Sequence, residues 1–175
     1  AVQPGRFFSD WIQTENQRVD CCPQLFAEAL DRSESLFQEM AMESSLKMIS
    51  RRTNYMVNSW LHNLPSLKRG AHLNNPLYMH PEDARARNVG DGASVRISNS
   101  WGSIEAIVAL DESLKPGVVA MTHGWGHDTS VGMKTAQQYP GVNANDLLPS
   151  GPGSYEKLSN QAFMTGIPVD VEISE

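Results

Sequence analysis

Two histidines four residues apart, His123 and His127, are the first residues of this sequence whose types and spacing suggest chemistry. On a helix, this spacing suits two ligands of a zinc ion. Gly124 and Gly126 lie between them, so a helix is disfavoured, and the glutamate of the HExxH zinc motif is missing. Glycine also lets the backbone approach a ligand closely. The segment therefore predicts a ligand-binding turn, with a zinc site or an ordinary loop as the alternatives.

A second candidate is segment 44–81, which contains no Asp or Glu although the chain has a net charge of −6. Its basic and imidazole side chains are Lys47, Arg51, Arg52, Lys68, Arg69, His62, His72 and His80. Such a segment either faces an acidic surface of the same or a neighbouring domain, or binds an anion such as a diphosphate, which the planar guanidinium recognises. The acidic balance of the whole chain argues against a general nucleic-acid-binding protein.

Familiar catalytic motifs are missing, since no Gly-x-Ser-x-Gly, P-loop or GxGxxG pattern occurs. Adjacent cysteines, Cys21 and Cys22, bridge only through a strained ring, so we interpret them as ordinary thiols. That favours a reducing compartment such as the cytoplasm, and a periplasmic location stays open. Asp111 and Glu112 fall at a predicted turn and are expected to be solvated. The residues alone therefore predict a ligand-binding domain without catalytic residues.

Short strands are the elements that must position these residues. Polar–apolar alternation or short apolar runs predict strands over 46–49, 94–98, 103–110, 118–121 and 167–173. A short helix is predicted to start at His80-Pro81, and another is predicted over 155–164. The polar segments 50–75 and 123–152 are predicted to be long loops. Strands and helices do not alternate regularly, which favours a mainly β barrel with helical additions over a doubly wound sheet.

The N-terminal part differs in character. Apolar residues recur at 3.6-residue spacing from Gln24 to Met42 and predict an amphipathic helix that Pro23 opens. Residues 1–22 show no such period and are predicted to be a connector. We expect residues 1–43 to be a connector and helix from the preceding part of a longer chain, and residues 44–175 to be the barrel domain. No apolar run approaches the ~18 residues of a membrane span.

Several motifs in sequence order resemble a known family. Their positions are 49–52, 58–60, 75–84, 88–95, 101–104, 116–119, 123–126, 143–147 and 166–171. In this order they resemble the molybdopterin-dinucleotide-binding domain, the C-terminal domain of molybdenum and tungsten oxidoreductases of the dimethyl sulfoxide reductase family. That family includes formate dehydrogenases, nitrate reductases and thiosulfate or polysulfide reductases. The resemblance covers about residues 46–173.

The resemblance implies a double-psi β-barrel that binds part of a molybdopterin guanine dinucleotide cofactor. It implies a longer parent oxidoreductase, with Mo or W, whose metal ligand and any iron–sulfur clusters lie in upstream domains of the same polypeptide. This chain is then expected to hold no metal and to be non-catalytic by itself. The alternative is a double-psi barrel without cofactor that serves protein interaction or substrate recognition, as in certain ATPases.

The resemblance also assigns cofactor-binding residues. They are Arg51, Arg52, Asn58, Ser59, Trp60, His123, Gly124, Trp125, Asn145, Asn160 and Gln161. The two arginines match a turn that contacts phosphate or pterin, and the next three match polar contacts just after it. Segment 123–125 matches a loop that reaches the pterin, and Asn145 matches an amide that pairs with the pterin edge. Near the end the chain departs from the family: Leu148 stands where Thr is common, and Met164-Thr165 stand where Lys is often found.

Overall fold

The computed structural model describes residues 5–6 and 11–174, which form parts of two compact units, Ala1–Ser44 and Ser45–Glu175. In the first unit, helix α1 spans Gln24–Met42 and follows Pro23, which confirms the predicted helix. None of its residues is buried. Residues 1–4 and 7–10 of the predicted connector lie outside the described residues. No helix in the described part of the chain is long and apolar enough to span a bilayer.

The second unit contains six strands, two short α-helices and three 3₁₀ turns among its described residues. The strands are β1 (Leu46–Ser50), β2 (Leu77–Met79), β3 (Ser94–Ser98), β4 (Ser103–Leu110), β5 (Val118–Met121) and β6 (Ile167–Ile173). The helices are α2 (Pro81–Ala86) and α3 (Lys134–Gln138), and the 3₁₀ turns are Pro65–Leu67, Gly70–Leu73 and Ala144–Leu147. Five strands agree with prediction, whereas β2 was not predicted because three residues are too few to display an alternating pattern.

The strands close into a barrel in the order β1-β5-β2-β4-β3-β6. Two neighbouring pairs, β1–β5 and β2–β4, are parallel, and the others are antiparallel. Parallel neighbours cannot be joined by a hairpin, so the chain crosses over between them. The closed six-stranded barrel confirms the predicted mainly β fold of the double-psi class.

Alternate residues of each strand point into the barrel and form one apolar core. On β4, for example, Ile104, Ala106 and Val108 are buried. The inward residues of the other strands are Leu46, Met48, Leu77, Met79, Val95, Ile97, Val119, Met121, Ile167, Val169 and Val171. Leu110 and Ile173, predicted to continue these faces, end their strands and are 38% and 53% exposed.

The predicted helix over 155–164 is wrong. Tyr155 pairs with Ala162 in an antiparallel bridge, so the segment is a folded-back loop. The Glu156 carboxylate accepts hydrogen bonds from the backbone N–H groups of Leu158 and Ser159. This local side-chain bonding competes with helix formation, and Asn160 has a positive φ of 54° that an α-helix excludes.

Candidate ligand-binding site

The parallel pair β1–β5 brings two predicted ligand-contacting loops to one edge of the barrel. Ser50, the last residue of β1, is paired with Met121, the last residue of β5. Parallel strands end at the same edge, so Arg51 and Arg52 leave the barrel beside His123. The backbone N–H of Arg51 donates to the carbonyl of Met121 at 3.0 Å and continues the ladder by one bond.

His123 is held by side chains from the first loop. Its Nδ1 lies 2.7 Å from Oγ of Ser50. The Arg52 guanidinium lies 3.2 Å from Nε2 of His123 and donates to Oδ1 of Asn58 at 3.2 Å. Oδ1 of Asn58 lies 2.9 Å from the same Nε2. The guanidinium can only donate to Nε2 and the amide oxygen can only accept from it, so these contacts hold the ring in place in either tautomer. Burial and the Arg52 charge both lower the pKa of His123, which favours its neutral form.

Gly124 allows the two loops to touch through their backbones. Its φ is +90°, and a Cβ there would clash with the carbonyl oxygen of Asn58. Gly126 has a φ of +91°, and its Cβ would lie 2.5 Å from Cβ of Asn143. These contacts support the predicted backbone-rich turn between His123 and His127, and no helix forms there.

A buried amide fixes the base of the same loop. Asn75 is 1% exposed, and its Nδ2 donates to the carbonyls of Thr122 and Val142, each at 2.9 Å. Its Oδ1 accepts from the backbone N–H of Val142 at 2.8 Å. Asn75 therefore ties the start of the loop after β5 to its return segment.

Trp125 fills the space beneath the loop. It is 2% exposed, and the ammonium of Lys68 lies 3.8 Å from the centre of its ring. Burial lowers the pKa of Lys68 to about 8. The ring of His62 packs against Trp125 as well, with ring centres 4.6 Å apart.

These loops line a polar cavity of about 270 Å³ that opens to solvent. Six of the predicted residues line it: Asn58, Ser59, His123, Gly124, Trp125 and Asn145. Three further lining residues, Gly126, His127 and Asn143, were not predicted as cofactor contacts. The lining offers amide, hydroxyl and imidazole groups and contains no carboxylate. Arg52 adds a positive charge at the edge through its contacts with Asn58 and His123.

Arg51 has an acidic partner in the same unit. Its guanidinium donates to Oδ2 of Asp111 at 2.5 Å and lies 4.0 Å from the ring centre of Tyr78. Hydrogen bonds from Ser113 and from Arg51 lower the pKa of Asp111 to about 2. The expectation that Asp111 is simply solvated was wrong. The positive charge of Arg51 in segment 44–81 is thus compensated by a carboxylate from outside that segment.

A buried histidine, His62, is paired with the cavity-lining His127. His62 is fully buried, its Nε2 lies 2.9 Å from the carbonyl of Tyr139, and its Nδ1 lies 2.8 Å from Nδ1 of His127. Burial lowers the pKa of His62 to about 4, and the nearby Lys68 and His127 act in the same direction. The sequence indicated His62 only as part of the basic segment.

The other predicted site residues do not line the cavity. Trp60 is 82% exposed although it follows Ser59 directly. Asn160 and Gln161 are exposed in the folded-back loop after Tyr155. Among the described residues, no group of three or more His, Cys, Asp or Glu side chains could hold a metal ion.

Comparisons with known proteins identify the family of this barrel domain. Residues 46–160 match the family described as "Molydopterin dinucleotide binding domain". The chain is 26% identical over 151 residues to the molybdopterin-containing subunit of arsenate respiratory reductase from Chrysiogenes arsenatis, covering 83% of this chain and 17% of that subunit. A tetrathionate reductase subunit from Salmonella typhimurium is 25% identical over 175 residues, covering 89% of this chain and 17% of its relative.

A solved structure supports the fold. Acetylene hydratase from Pelobacter acetylenicus superimposes with a TM-score of 0.62 at 18% sequence identity, covering 81% of this chain and 20% of that chain. The present chain thus spans about a fifth or less of the length of these relatives.

The closed barrel and the family match together define a cofactor-binding β domain. The chain belongs to the molybdopterin-dinucleotide-binding domain family of dimethyl sulfoxide reductase-type molybdoenzymes. The family match and the molybdoenzyme relatives support the predicted cofactor, molybdopterin guanine dinucleotide. The match favours this function over the alternative of an interaction module without cofactor.

Proposed function

We propose that the cavity between the loops after β1 and β5 holds part of the molybdopterin guanine dinucleotide. The observation that carries this proposal is the convergence of six predicted residues from three separate segments on one cavity. The cofactor is anionic and rich in hydrogen-bonding groups. A lining of amides, hydroxyl and imidazole without a carboxylate fits such a molecule, because buried anions need donors rather than acceptors around them. When bound, the cofactor supplies the dithiolene that chelates the metal.

Arg52, Asn58 and Ser59 form the anion-binding edge in this proposal. Arg52 has no carboxylate partner among the described residues, and its contacts with Asn58 and His123 orient it beside the cavity. Arg51 is assigned to the same edge by the family resemblance, although it is paired with Asp111. Trp60, Asn160 and Gln161 stay proposed cofactor-binding residues. Because they do not line the cavity, they would contact a part of the cofactor that extends beyond it.

The whole protein is proposed to be a molybdenum or tungsten oxidoreductase in which upstream domains supply the metal ligand and electron-transfer centres. The short coverage of the relatives, 17% of each, motivates the upstream domains. The relatives are named for the reduction of arsenate and tetrathionate. The family resemblance implies a formate dehydrogenase, a nitrate reductase or a thiosulfate reductase as the parent. Among these activities, a reductase is therefore the first choice.

The test is titration of the 175-residue chain with GDP and with cofactor released from a molybdoenzyme, at two salt concentrations. One charge-assisted hydrogen bond contributes roughly 1.5–3 kcal/mol, so Arg52→Ala is expected to weaken binding by about tenfold to a hundredfold. The loss should shrink at high salt. Arg96→Ala is the matched control, because Arg96 is exposed on β3, outside the cavity lining.

Arg51→Ala distinguishes the two arginines. A loss equal to that of Arg52→Ala places both on the cofactor, whereas unchanged affinity leaves Arg51 as the structural partner of Asp111. Failure of the wild-type chain to bind either probe, or equal affinity of wild type and Arg52→Ala, contradicts the proposed site.

A further inference from the structure

The contact between buried His62 and cavity-lining His127 fixes the position of the protons on both rings. The carbonyl of Tyr139 can only accept, so Nε2 of His62, 2.9 Å away, carries a proton and donates. His62 is fully buried and therefore neutral, which leaves its Nδ1 as an acceptor. Nδ1 of His127 lies 2.8 Å from that acceptor and must donate to it. The chain Tyr139–His62–His127 thus places a proton on Nδ1 of His127, and in the ring with a single proton Nε2 is the acceptor.

Nε2 of His127 is left as a lone pair at the cavity. His127 lines the cavity, and the opposite edge of its ring is engaged by His62. Within the described part of the chain, Nε2 has no hydrogen-bond partner, and it is not a fully buried atom. His123, the other imidazole of the lining, differs because both of its nitrogens are engaged.

We propose that His127 contacts the ligand directly, fixed by His62 as a hydrogen-bond acceptor for a ring N–H or amino group of the bound heterocycle. This inference rests on the proposed function, since the cofactor must enter the cavity. Pterin and guanine share the required chemistry, because both carry an amino group next to a lactam N–H. Arg52 at the cavity edge supplies donors, so His127 adds the complementary acceptor.

His62 acts as a positioning residue in this arrangement. Without it, neutral His127 could place its proton on either nitrogen, and the tautomer with Nε2–H would repel an N–H donor. A buried donor–acceptor chain that ends on a backbone carbonyl selects one tautomer before the ligand arrives. Such preorganisation removes the free-energy cost of ordering the group on binding.

The experiment uses the full 175-residue chain labelled with ¹⁵N. Long-range ¹H–¹⁵N spectra of the imidazole rings identify the tautomer of His127, with His127→Phe giving the assignment. We expect the Nδ1–H tautomer in the free protein and loss of this preference in His62→Phe. Titrations with GDP and with tetrahydrobiopterin distinguish the guanine from the pterin as the source of the N–H group. The probe that binds should shift the Nε2 resonance.

Affinity provides the second readout. A neutral hydrogen bond contributes roughly 0.5–1.5 kcal/mol, so His127→Phe should weaken that probe about twofold to tenfold. His62→Phe should weaken it by less. His80→Asn is the matched control: it removes a histidine at the N-cap of α2, where Asn also caps, and should leave binding unchanged.

An Nε2–H tautomer in the free wild-type chain overturns the inference, as does equal affinity of wild type and His127→Phe for both probes. If the wild-type chain binds neither of these probes nor the released cofactor, the proposed function fails and the ligand role of His127 fails with it. In that case the tautomer measurement still decides whether His62 fixes the ring.

Discussion

At the scale of the residue, Gly124 decides whether the two cavity loops can touch. It combines a φ of +90° with a Cβ position that the carbonyl oxygen of Asn58 already occupies. Gly124→Ala should therefore strain the backbone and break the loop contact, at a cost of about 3 kcal/mol or more of unfolding free energy. Urea denaturation measures this change, and cofactor binding should fall in parallel because Asn58 lines the cavity.

Gly132→Ala provides a matched control for that substitution. Gly132 also has a positive φ, +82°, but a Cβ there would meet nothing within 4 Å. Alanine at position 132 then costs only the strain of the left-handed backbone, about 1–2 kcal/mol of unfolding free energy. Equal destabilisation by the two substitutions would show that the close approach to Asn58 is unimportant.

His62 links stability to pH. Burial lowers its pKa to about 4 in the folded state, whereas the unfolded chain has the ordinary value of 6.5. The unfolded state therefore binds a proton between pH 6.5 and 4 that the folded state does not bind, and stability decreases as the pH falls through this range. Unfolding free energies measured at about pH 7 and about pH 5 should show a smaller difference for His62→Phe than for wild type. An unchanged difference would remove His62 as the cause.

Residue pairs far apart in sequence were the part of the site that the sequence could not supply. His62 meets His127 across 65 residues, and Arg51 meets Asp111 across 60. No local pattern encodes such a pairing, because it depends on which strands are neighbours in the barrel. Loop residues such as Asn58 were predictable because motif order carries the family resemblance. For His127, the only feature of the sequence that indicated a place in the site was its spacing from His123.

At the scale of the element, predictions succeeded where burial imposes a period. Four strands, β3 to β6, were predicted with their observed bounds. Each has either polar–apolar alternation or a continuous apolar run, because each packs on the same core. Segment 155–164 failed because Glu156 bonds to nearby backbone N–H groups, a choice that apolar spacing does not reveal. Short α3 and the 3₁₀ turn Ala144–Leu147 lie inside a predicted loop, where tertiary contacts decide local structure.

Asn75 joins elements that the barrel alone would leave apart. Its three hydrogen bonds tie Thr122, just after β5, to Val142 on the returning loop. Asn75→Ala leaves the buried carbonyl of Thr122 and the partly buried carbonyl and N–H of Val142 without their partner, which should destabilise the fold by about 2–4 kcal/mol. Thermal or urea unfolding checks this, and cofactor binding should weaken because the loop carries His123 and Asn143.

Asn54→Ala is the matched control for that prediction. Asn54 is exposed, and no hydrogen bond of its side chain is present in the described structure. Its removal should change the unfolding free energy by less than about 0.5 kcal/mol. If Asn75→Ala were equally harmless, the loop after β5 would be held by its other contacts.

At the scale of the whole molecule, the core and the site belong to one unit. Every residue of the apolar core lies between Leu46 and Val171, and every cavity-lining residue lies between Asn58 and Asn145. α1 buries none of its residues and exposes large apolar side chains, among them Phe26, Leu30 and Phe37. An apolar stripe on a helix normally packs on a partner, so α1 is expected to meet another part of the longer protein.

Removal of residues 1–44 tests this division of the chain. The truncated chain keeps the whole barrel core, so its thermal midpoint and cofactor affinity should match those of the 175-residue chain. Binding of a hydrophobic dye should decrease, because the exposed apolar face of α1 is gone. The control is Phe37→Ser in the full chain, which interrupts that face without removing the helix and should lower dye binding with the midpoint unchanged. A midpoint lowered by several degrees in both variants would instead show that α1 packs on the barrel, and residues 1–43 would then belong to this domain rather than to a preceding one.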